Sequence, residues 1–168
     1  VGHRCLHRRT DNRLFESRPA MKPRFMVQLR NFSEFEADCS CGCGFGPDPE
    51  LMLRLQAFIY YLERIYDCSV RCVIRGGARC IKHNKEVYGG LAQPSYHCGP
   101  SKGAKKDEHG WAVDVIFQIA PRGDWARIDK HTVAQHAIQS KLFGGVGWKI
   151  YGPSSQFVHL DLGPVRTF

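Results

Sequence analysis

Two short hydrophobic segments contain three polar residues whose types and spacing could support metal or acid–base chemistry. In the segment 157–162, FVHLDL, apolar residues alternate with His159 and Asp161. Side chains alternate between the two faces of a β-strand, so this spacing places His159 and Asp161 on one face. In the segment 112–117, AVDVIF, Asp114 is the only ionisable residue. An isolated buried carboxylate is costly, so Asp114 requires a hydrogen-bonding partner or a metal ion.

Asp114 and His159 on neighbouring strands would suit zinc. Catalytic zinc sites use three protein ligands and keep one coordination position open for water. Two ordinary roles compete with this interpretation, because Asp114 could accept hydrogen bonds from backbone amides at a strand end. His159 could equally be a half-exposed residue with no metal. The residue types alone leave this choice open.

The segments around these residues predict two helices. Asp48 followed by Pro49 indicates a helix start, with Asp as the N-cap and Pro at the first helical position. Apolar residues then recur at helical spacing and predict one buried stripe: Leu51, Leu55, Phe58, Ile59, Leu62 and Ile65. A second helix is predicted over 131–143 and is expected to end at Gly144-Gly145. Its apolar residues are Val133, Ala137, Ile138 and Leu142.

The remaining pattern predicts strands and one long loop. Strands are predicted at 70–74, 111–117, 146–151 and 157–162. Residues 84–110 are rich in Gly, Pro, Ser and Lys and predict a loop whose length indicates a functional role. We expect an α+β domain over 31–168, in which a small antiparallel sheet flanked by helices carries the metal site. Residues 1–30 are expected to be an extension outside it.

The order of the motifs points to a known family. The segments are GGARCIKHN at 76–84, VYGG at 87–90, SYH at 95–97, GWAVD at 110–114 and FVHLDLGP at 157–164. Together they resemble the zinc D-alanyl-D-alanine carboxypeptidase-like metallopeptidases, which share the hedgehog/lysostaphin-type fold and include many phage endolysins. The resemblance implies zinc-dependent hydrolysis of the stem peptides of bacterial peptidoglycan, by a D,D-carboxypeptidase or an endopeptidase. It also implies that a His, Asp114 and His159 bind the zinc.

The first of these ligands departs from the family pattern. In the family it lies seven residues before the Asp, and this position is Asp107 here. His97 keeps the S-x-H context after the VYGG turn, which implies an insertion before Asp114. There are two alternative first ligands: His109, which lies nearer to the strand, and Asp107, which keeps the spacing but changes the type of ligand. We expect His97 to bind the metal, because a loop insertion leaves the context of this ligand intact.

Two further roles follow from the resemblance. Arg79 occupies the position of the family's substrate-gripping arginine and would pair with a carboxylate of the stem peptide. Some relatives carry a Glu three residues before the last His, but this position is Gln156, which cannot titrate. Asp161 is therefore the candidate general base, or a carboxylate that orients His159.

Composition and charge limit the partners. The chain has 168 residues, with 24 Lys and Arg against 16 Asp and Glu, a net charge of +8. This charge suits an anionic cell wall, and no recognition signature supports a nucleic-acid partner. No apolar segment follows the basic N-terminal residues, so we expect no secretory signal and no membrane insertion. We expect a monomer that is made in the cytoplasm and acts on the cell wall. The alternative is a catalytically decayed virion or cell-wall-binding protein.

The eight cysteines are expected to be reduced. Cys39, Cys41 and Cys43 are separated by single residues, whereas zinc knuckles use the CxxC spacing. The sequence therefore favours structural thiols in a glycine-rich loop, and a second metal site at these cysteines is the alternative.

Overall fold

The computed structural model describes residues 29–33, 35–91, 93–100, 102, 108–149 and 154–168. The helices in these ranges are α1 (Pro49–Tyr66), α2 (Ile81–Val87) and α3 (Lys130–Ser140), with a 3-10 helix at Tyr96–Cys98. The strands are β1 (Val70–Gly76), β2 (Ala112–Ile119), β3 (Ala126–Arg127), β4 (Gly145–Gly147), β5 (Val158–Asp161) and β6 (Arg166–Thr167). This mixture of helices with one sheet confirms the predicted α+β class.

The strands form one six-stranded sheet in the order β1-β2-β5-β4-β6, with β3 beside β2. All pairs are antiparallel except β4 and β6, which run parallel. The expected antiparallel sheet therefore includes one parallel pair at its edge. β2 lies inside the sheet, between β1 and β5, and is the strand that carries Asp114.

Helix α1 begins where the sequence predicts. The Asp48 side chain accepts a hydrogen bond from the backbone N–H of Glu50 at 2.8 Å, which satisfies one of the free donors of the first turn. The predicted stripe is buried from Leu51 to Leu62. Ile65 is an exception, with 43% of its surface exposed, because the buried face of α1 ends at Leu62.

The hydrophobic core lies between α1, α3 and one face of the sheet. Phe58 of α1 is at its centre and meets the rings of Phe117 and Phe143 edge to face, at centroid distances of 5.3 and 5.6 Å. The same face of β2 and β5 contributes four fully or almost fully buried residues: Val113, Val115, Val158 and Leu160. The alternation in both strands therefore sends Asp114, His159 and Asp161 to the opposite face.

The second predicted helix is α3, but it ends earlier than expected. Ser140 is its last residue, and Lys141 adopts the left-handed conformation at the C-cap, with φ of 56°. Gly145 does not stop the helix, since it lies in β4 opposite Asp161, whose carboxylate would clash with any Cβ there. Ile138 is 42% exposed and does not join the core.

The predicted loop 84–110 contains ordered elements. Its first residues belong to α2, which lacks an apolar stripe and buries only Asn84. The Asn84 side chain donates to the carbonyl of Gln93 at 2.8 Å and so braces the segment that follows α2. The strand predicted at 146–151 corresponds to β4, which spans only Gly145–Gly147. Residues 150–153 lie outside the described residues.

The packed fold begins before residue 31. Leu29 is buried in the core, and the backbone N–H of Asn31 donates to the Gln56 side chain at 3.0 Å. Residues 1–28 of the expected extension lie outside the described residues. Among the helices described, none has the length and apolar character required to cross a membrane.

We predict that Phe58→Ala lowers the free energy of unfolding by about 3–5 kcal/mol, because it leaves a cavity beside the rings of Phe117 and Phe143. Ile65→Ala on the same helix is the matched control and should change stability by no more than about 0.5 kcal/mol. Denaturant unfolding of the two variants measures both values. Equal losses would contradict the burial pattern of α1.

Candidate metal centre

The strand register brings Asp114 and His159 together. They are direct partners in the antiparallel pair β2–β5, so their side chains stand next to each other on the face opposite the core. Nδ1 of His159 lies 2.9 Å from Oδ1 of Asp114. Both side chains are buried, each with 6% of the residue surface exposed.

His97 approaches the same carboxylate from the 3-10 helix. The Ser95 side chain caps this helix by accepting from the backbone N–H of His97, and the His97 carbonyl accepts from the backbone N–H of Arg79. These bonds fix the main chain so that Nε2 of His97 lies 3.4 Å from Oδ2 of Asp114. His97 is 3% exposed. The structure thus brings together the three predicted ligands, with candidate ligand atoms all within 4.8 Å of one another.

The two alternative first ligands do not join this group. His109 is exposed, and it is not among the residues whose ligand atoms converge there. Asp107 lies outside the described residues. Of the histidines considered from the sequence, His97 is the one that faces Asp114 and His159.

Each imidazole has its outer nitrogen bonded to an acceptor. Nδ1 of His97 lies 2.7 Å from the Gly77 carbonyl, which can only accept, so this nitrogen carries a proton. Nε2 of His159 lies 3.0 Å from Oδ2 of Asp161 and donates to that carboxylate. The nitrogens that remain, Nε2 of His97 and Nδ1 of His159, both point at Asp114. Histidine metal ligands are oriented in the same way by backing carbonyls and carboxylates.

This donor set fits a divalent metal ion. Two imidazole nitrogens with free lone pairs would repel the Asp114 carboxylate unless a proton or a cation lies between them. Two His and one Asp are a common set of catalytic zinc ligands, and zinc binding requires neutral imidazole and ionised carboxylate. The chemistry of the three side chains therefore supports a metal-binding site, and the structure contains no feature that identifies the metal.

The electrostatics of the group favour an ionised Asp114. Burial alone would raise its pKa, but the interactions with His159 and His97 outweigh burial and hold the pKa of this carboxyl below its usual range. Burial lowers the pKa of His97 below its usual value. Burial also opposes a charge on His159, but the two carboxylates beside it overcome this and raise its pKa. A metal ion would compete with the proton on Nδ1 of His159.

Asp161 lies behind His159, away from His97 and Asp114. It is fully buried, and its two oxygens accept hydrogen bonds from the Arg166 guanidinium at 2.6 and 3.1 Å. Oδ1 also accepts from the backbone N–H of Gly163 at 2.7 Å. Burial acts to raise the pKa of Asp161, but its hydrogen bonds with His159 and Arg166 outweigh this and lower it. This position favours an orienting role, and the role of general base stays a prediction.

Arg79 contacts the group directly. Its Nη2 donates to Oδ2 of Asp114 at 3.3 Å, and the side chain is only 15% exposed. The contact between Arg79 and Asp114 depends on Gly76, the β1 partner of Asp114. A Cβ at residue 76 would lie 2.9 Å from the same carboxylate oxygen. The predicted contact of Arg79 with substrate is untested, but the side chain is not an ordinary surface arginine.

An open cleft of about 380 Å³ gives access to the group. His97, Asp114 and His159 line it. Three cationic side chains also line it: Arg79, Lys102 and Arg166. Four aromatic residues complete much of the remaining wall: Tyr88, Tyr96, Phe157 and Phe168. The three side chains are thus largely buried but line the cleft, and the cations around them suit a ligand that carries a carboxylate.

Some residues that support the metal centre have no recognisable signal in the sequence. Gly77 acts through its backbone carbonyl, which no residue type reveals. Arg166 follows the FVHLDLGP motif and has no pattern of its own, although it holds Asp161. Comparison with known proteins adds no assignment, since no family model and no curated protein matches this chain.

We predict that His97→Ala lowers the zinc content by one ion per chain, because it removes one of the three converging side chains. His109→Ala is the matched control and should leave the zinc content unchanged. Metal analysis of the purified proteins, loaded with zinc and desalted, measures both. Loss of zinc in His109→Ala with retention in His97→Ala would move the ligand to His109.

We further predict that Asp161→Asn weakens zinc binding at this centre by about 10–100-fold, because His159 loses the carboxylate that orients it. Asp129→Asn is the control, since Asp129 is an exposed carboxylate that caps α3. Competition with a chelator gives the affinities. Unchanged zinc affinity together with a rate of hydrolysis about 10²–10⁴-fold lower would instead support the general-base role.

Proposed function

We propose that this protein is a zinc-dependent peptidase that hydrolyses a peptide bond in the stem peptides of bacterial peptidoglycan. The observation that carries the proposal is the buried group of His97, Asp114 and His159 at the base of an open cleft. Both imidazoles in this group are held by backing acceptors. The resemblance of the sequence motifs to the D-alanyl-D-alanine carboxypeptidase-like metallopeptidases supports the class of substrate.

The proposed metal ligands are Nε2 of His97, a carboxylate oxygen of Asp114 and Nδ1 of His159. When bound, zinc would polarise the scissile carbonyl and make water nucleophilic near neutral pH. The Gly77 carbonyl and the Asp161 carboxylate keep both rings in the tautomer and orientation that ligation requires. Three protein ligands leave a coordination position for chemistry, whereas structural zinc sites use four.

The cations of the cleft support a peptide substrate with a free carboxylate. Arg79 uses Nη2 on Asp114 and retains further N–H donors in the same planar fork. Lys102 and Arg166 line the same cleft. An arginine fork binds a carboxylate with two parallel hydrogen bonds, so Arg79 is the side chain proposed to position the peptide.

The proton acceptor for the attacking water is not assigned to a residue of the centre. Among the described residues that line the cleft, Asp114 is the only carboxylate, and it is a proposed ligand. The segment 107–109 carries three titratable residues: Asp107, Glu108 and His109. The lack of a second carboxylate in the described part of the cleft favours one alternative function, a catalytically decayed wall-binding or virion protein that retains the metal.

Hydrolysis of purified peptidoglycan and of a soluble stem peptide tests the proposal. We expect new amino groups to appear with the zinc-loaded protein, to disappear after treatment with a chelator and to return when zinc is restored. His97→Ala should reduce the rate to background, and His109→Ala should not abolish hydrolysis. Mass spectrometry of the products identifies the bond that is cut.

Retention of zinc without release of amino groups from either substrate would support the decayed protein instead. Hydrolysis that persists in the chelated wild type and in His97→Ala would contradict the proposed mechanism, because both conditions remove the metal from this centre.

A further inference from the structure

A second group of potential metal ligands lies outside the cleft. Cys39, Cys41 and Cys43 come from the loop before α1, and Cys80 is the N-cap residue of α2. Their sulfur atoms all lie within 4.8 Å of one another. Sγ of Cys41 is 3.3 Å from Sγ of Cys39 and 3.6 Å from Sγ of Cys80. All four are free thiols.

Two glycines allow the closely spaced cysteines to converge. Gly42 and Gly44 have φ values of +72° and +78°, a left-handed conformation that glycine adopts without steric cost. The N–H of Gly42 donates to the Cys39 carbonyl at 3.1 Å, and the N–H of Cys39 donates to the Phe45 carbonyl at 2.8 Å. The loop thus closes on itself, and single-residue gaps are sufficient to bring three sulfurs to one point.

Backbone amides point at two of the sulfurs. The N–H of Cys80 lies 3.4 Å from Sγ of Cys39, and the N–H of His83 lies 3.4 Å from Sγ of Cys80. Hydrogen bonds donated to sulfur stabilise the thiolate, which is the form that binds metals. Such donors supply the outer support that metal ligands require.

We infer that Cys39, Cys41, Cys43 and Cys80 together bind one Zn²⁺ ion as a structural site. Four thiolates around zinc at about 2.3 Å in a tetrahedron are separated by about 3.8 Å, close to the separations seen here. Thiolate ligands select zinc over magnesium or calcium. All four coordination positions come from the protein, so this ion has no open position for chemistry, in contrast to the ion proposed in the cleft.

The site would fasten the cysteine loop to the segment that supports the cleft. Next to the cluster, the backbone N–H of Ala78 donates to the Ala37 carbonyl at 2.8 Å. Gly77 packs so closely on Ala37 that a Cβ at residue 77 would clash with its carbonyl. Gly77 holds the His97 ring, and Arg79 contacts Asp114. Zinc in the cysteine cluster would therefore stabilise the segment of Gly77 and Arg79 behind the cleft, without taking part in the chemistry of the cleft.

Cobalt substitution of the reduced protein tests this site. Thiolates bound to Co²⁺ give a strong ligand-to-metal charge-transfer absorption in the near ultraviolet, whereas imidazole and carboxylate ligands do not. We expect this absorption in wild type and also in His97→Ala, where the cleft no longer binds metal. We expect the double variant Cys41→Ser, Cys43→Ser to lose it, and to bind one zinc ion per chain fewer than wild type.

Cys68→Ser is the matched control, because Cys68 is a free, partly buried thiol outside the cluster. It should retain both the absorption and the zinc content. If the double variant does not fold, thiol labelling of His97→Ala provides the test, since bound zinc should protect the four cluster cysteines until a chelator is added. Absence of the charge-transfer absorption in reduced wild type, or equal labelling with and without zinc, would overturn the inference.

Discussion

The buried carboxylate of Asp114 is the constraint on which the arrangement of the cleft depends. It lies on an inner strand of the sheet, β2, and two imidazoles and one guanidinium converge on its two oxygens. A charge in this position is tolerated only because these groups compensate for its lost hydration. Each compensating group is held in turn, His97 by Gly77 and His159 by Asp161. The walls of the cleft are therefore organised around one carboxylate.

Much of this arrangement follows from the alternation of residues in two strands. The period of two in the segments around Asp114 and His159 separates core residues from polar ones without knowledge of the strand pairing. It predicted a shared face for His159 and Asp161, and the six-stranded sheet has that geometry. Helix α1 could equally be predicted from the sequence, because Asp48 and Pro49 mark its start and an apolar stripe follows.

Other features depend on contacts between distant parts of the chain and have no local pattern. Cys80 joins the cluster only because β1 returns the chain to the loop before α1. Helix α2 has no apolar periodicity. It is held instead by the Asn84 side chain and by its N-cap. Lys141 ends α3 in a conformation that glycine usually supplies, whereas Gly145 provides room for Asp161. The Gly144-Gly145 pair is evident in the sequence, but the need for glycine at 145 comes from Asp161, 16 residues away.

The pairing of β2 with β5 has a consequence for errors in folding. In the observed register, Asp114 is opposite His159, and Val113 and Val115 are opposite Leu160 and Val158. A slip of one residue would turn β5 over, so that His159 and Asp161 faced the apolar core, and Val158 and Leu160 faced the polar side of the sheet. The mispaired sheet would bury two ionisable groups without partners and lose core area at the same time. His159 and Asp161 thus also disfavour an incorrect alignment of the two strands.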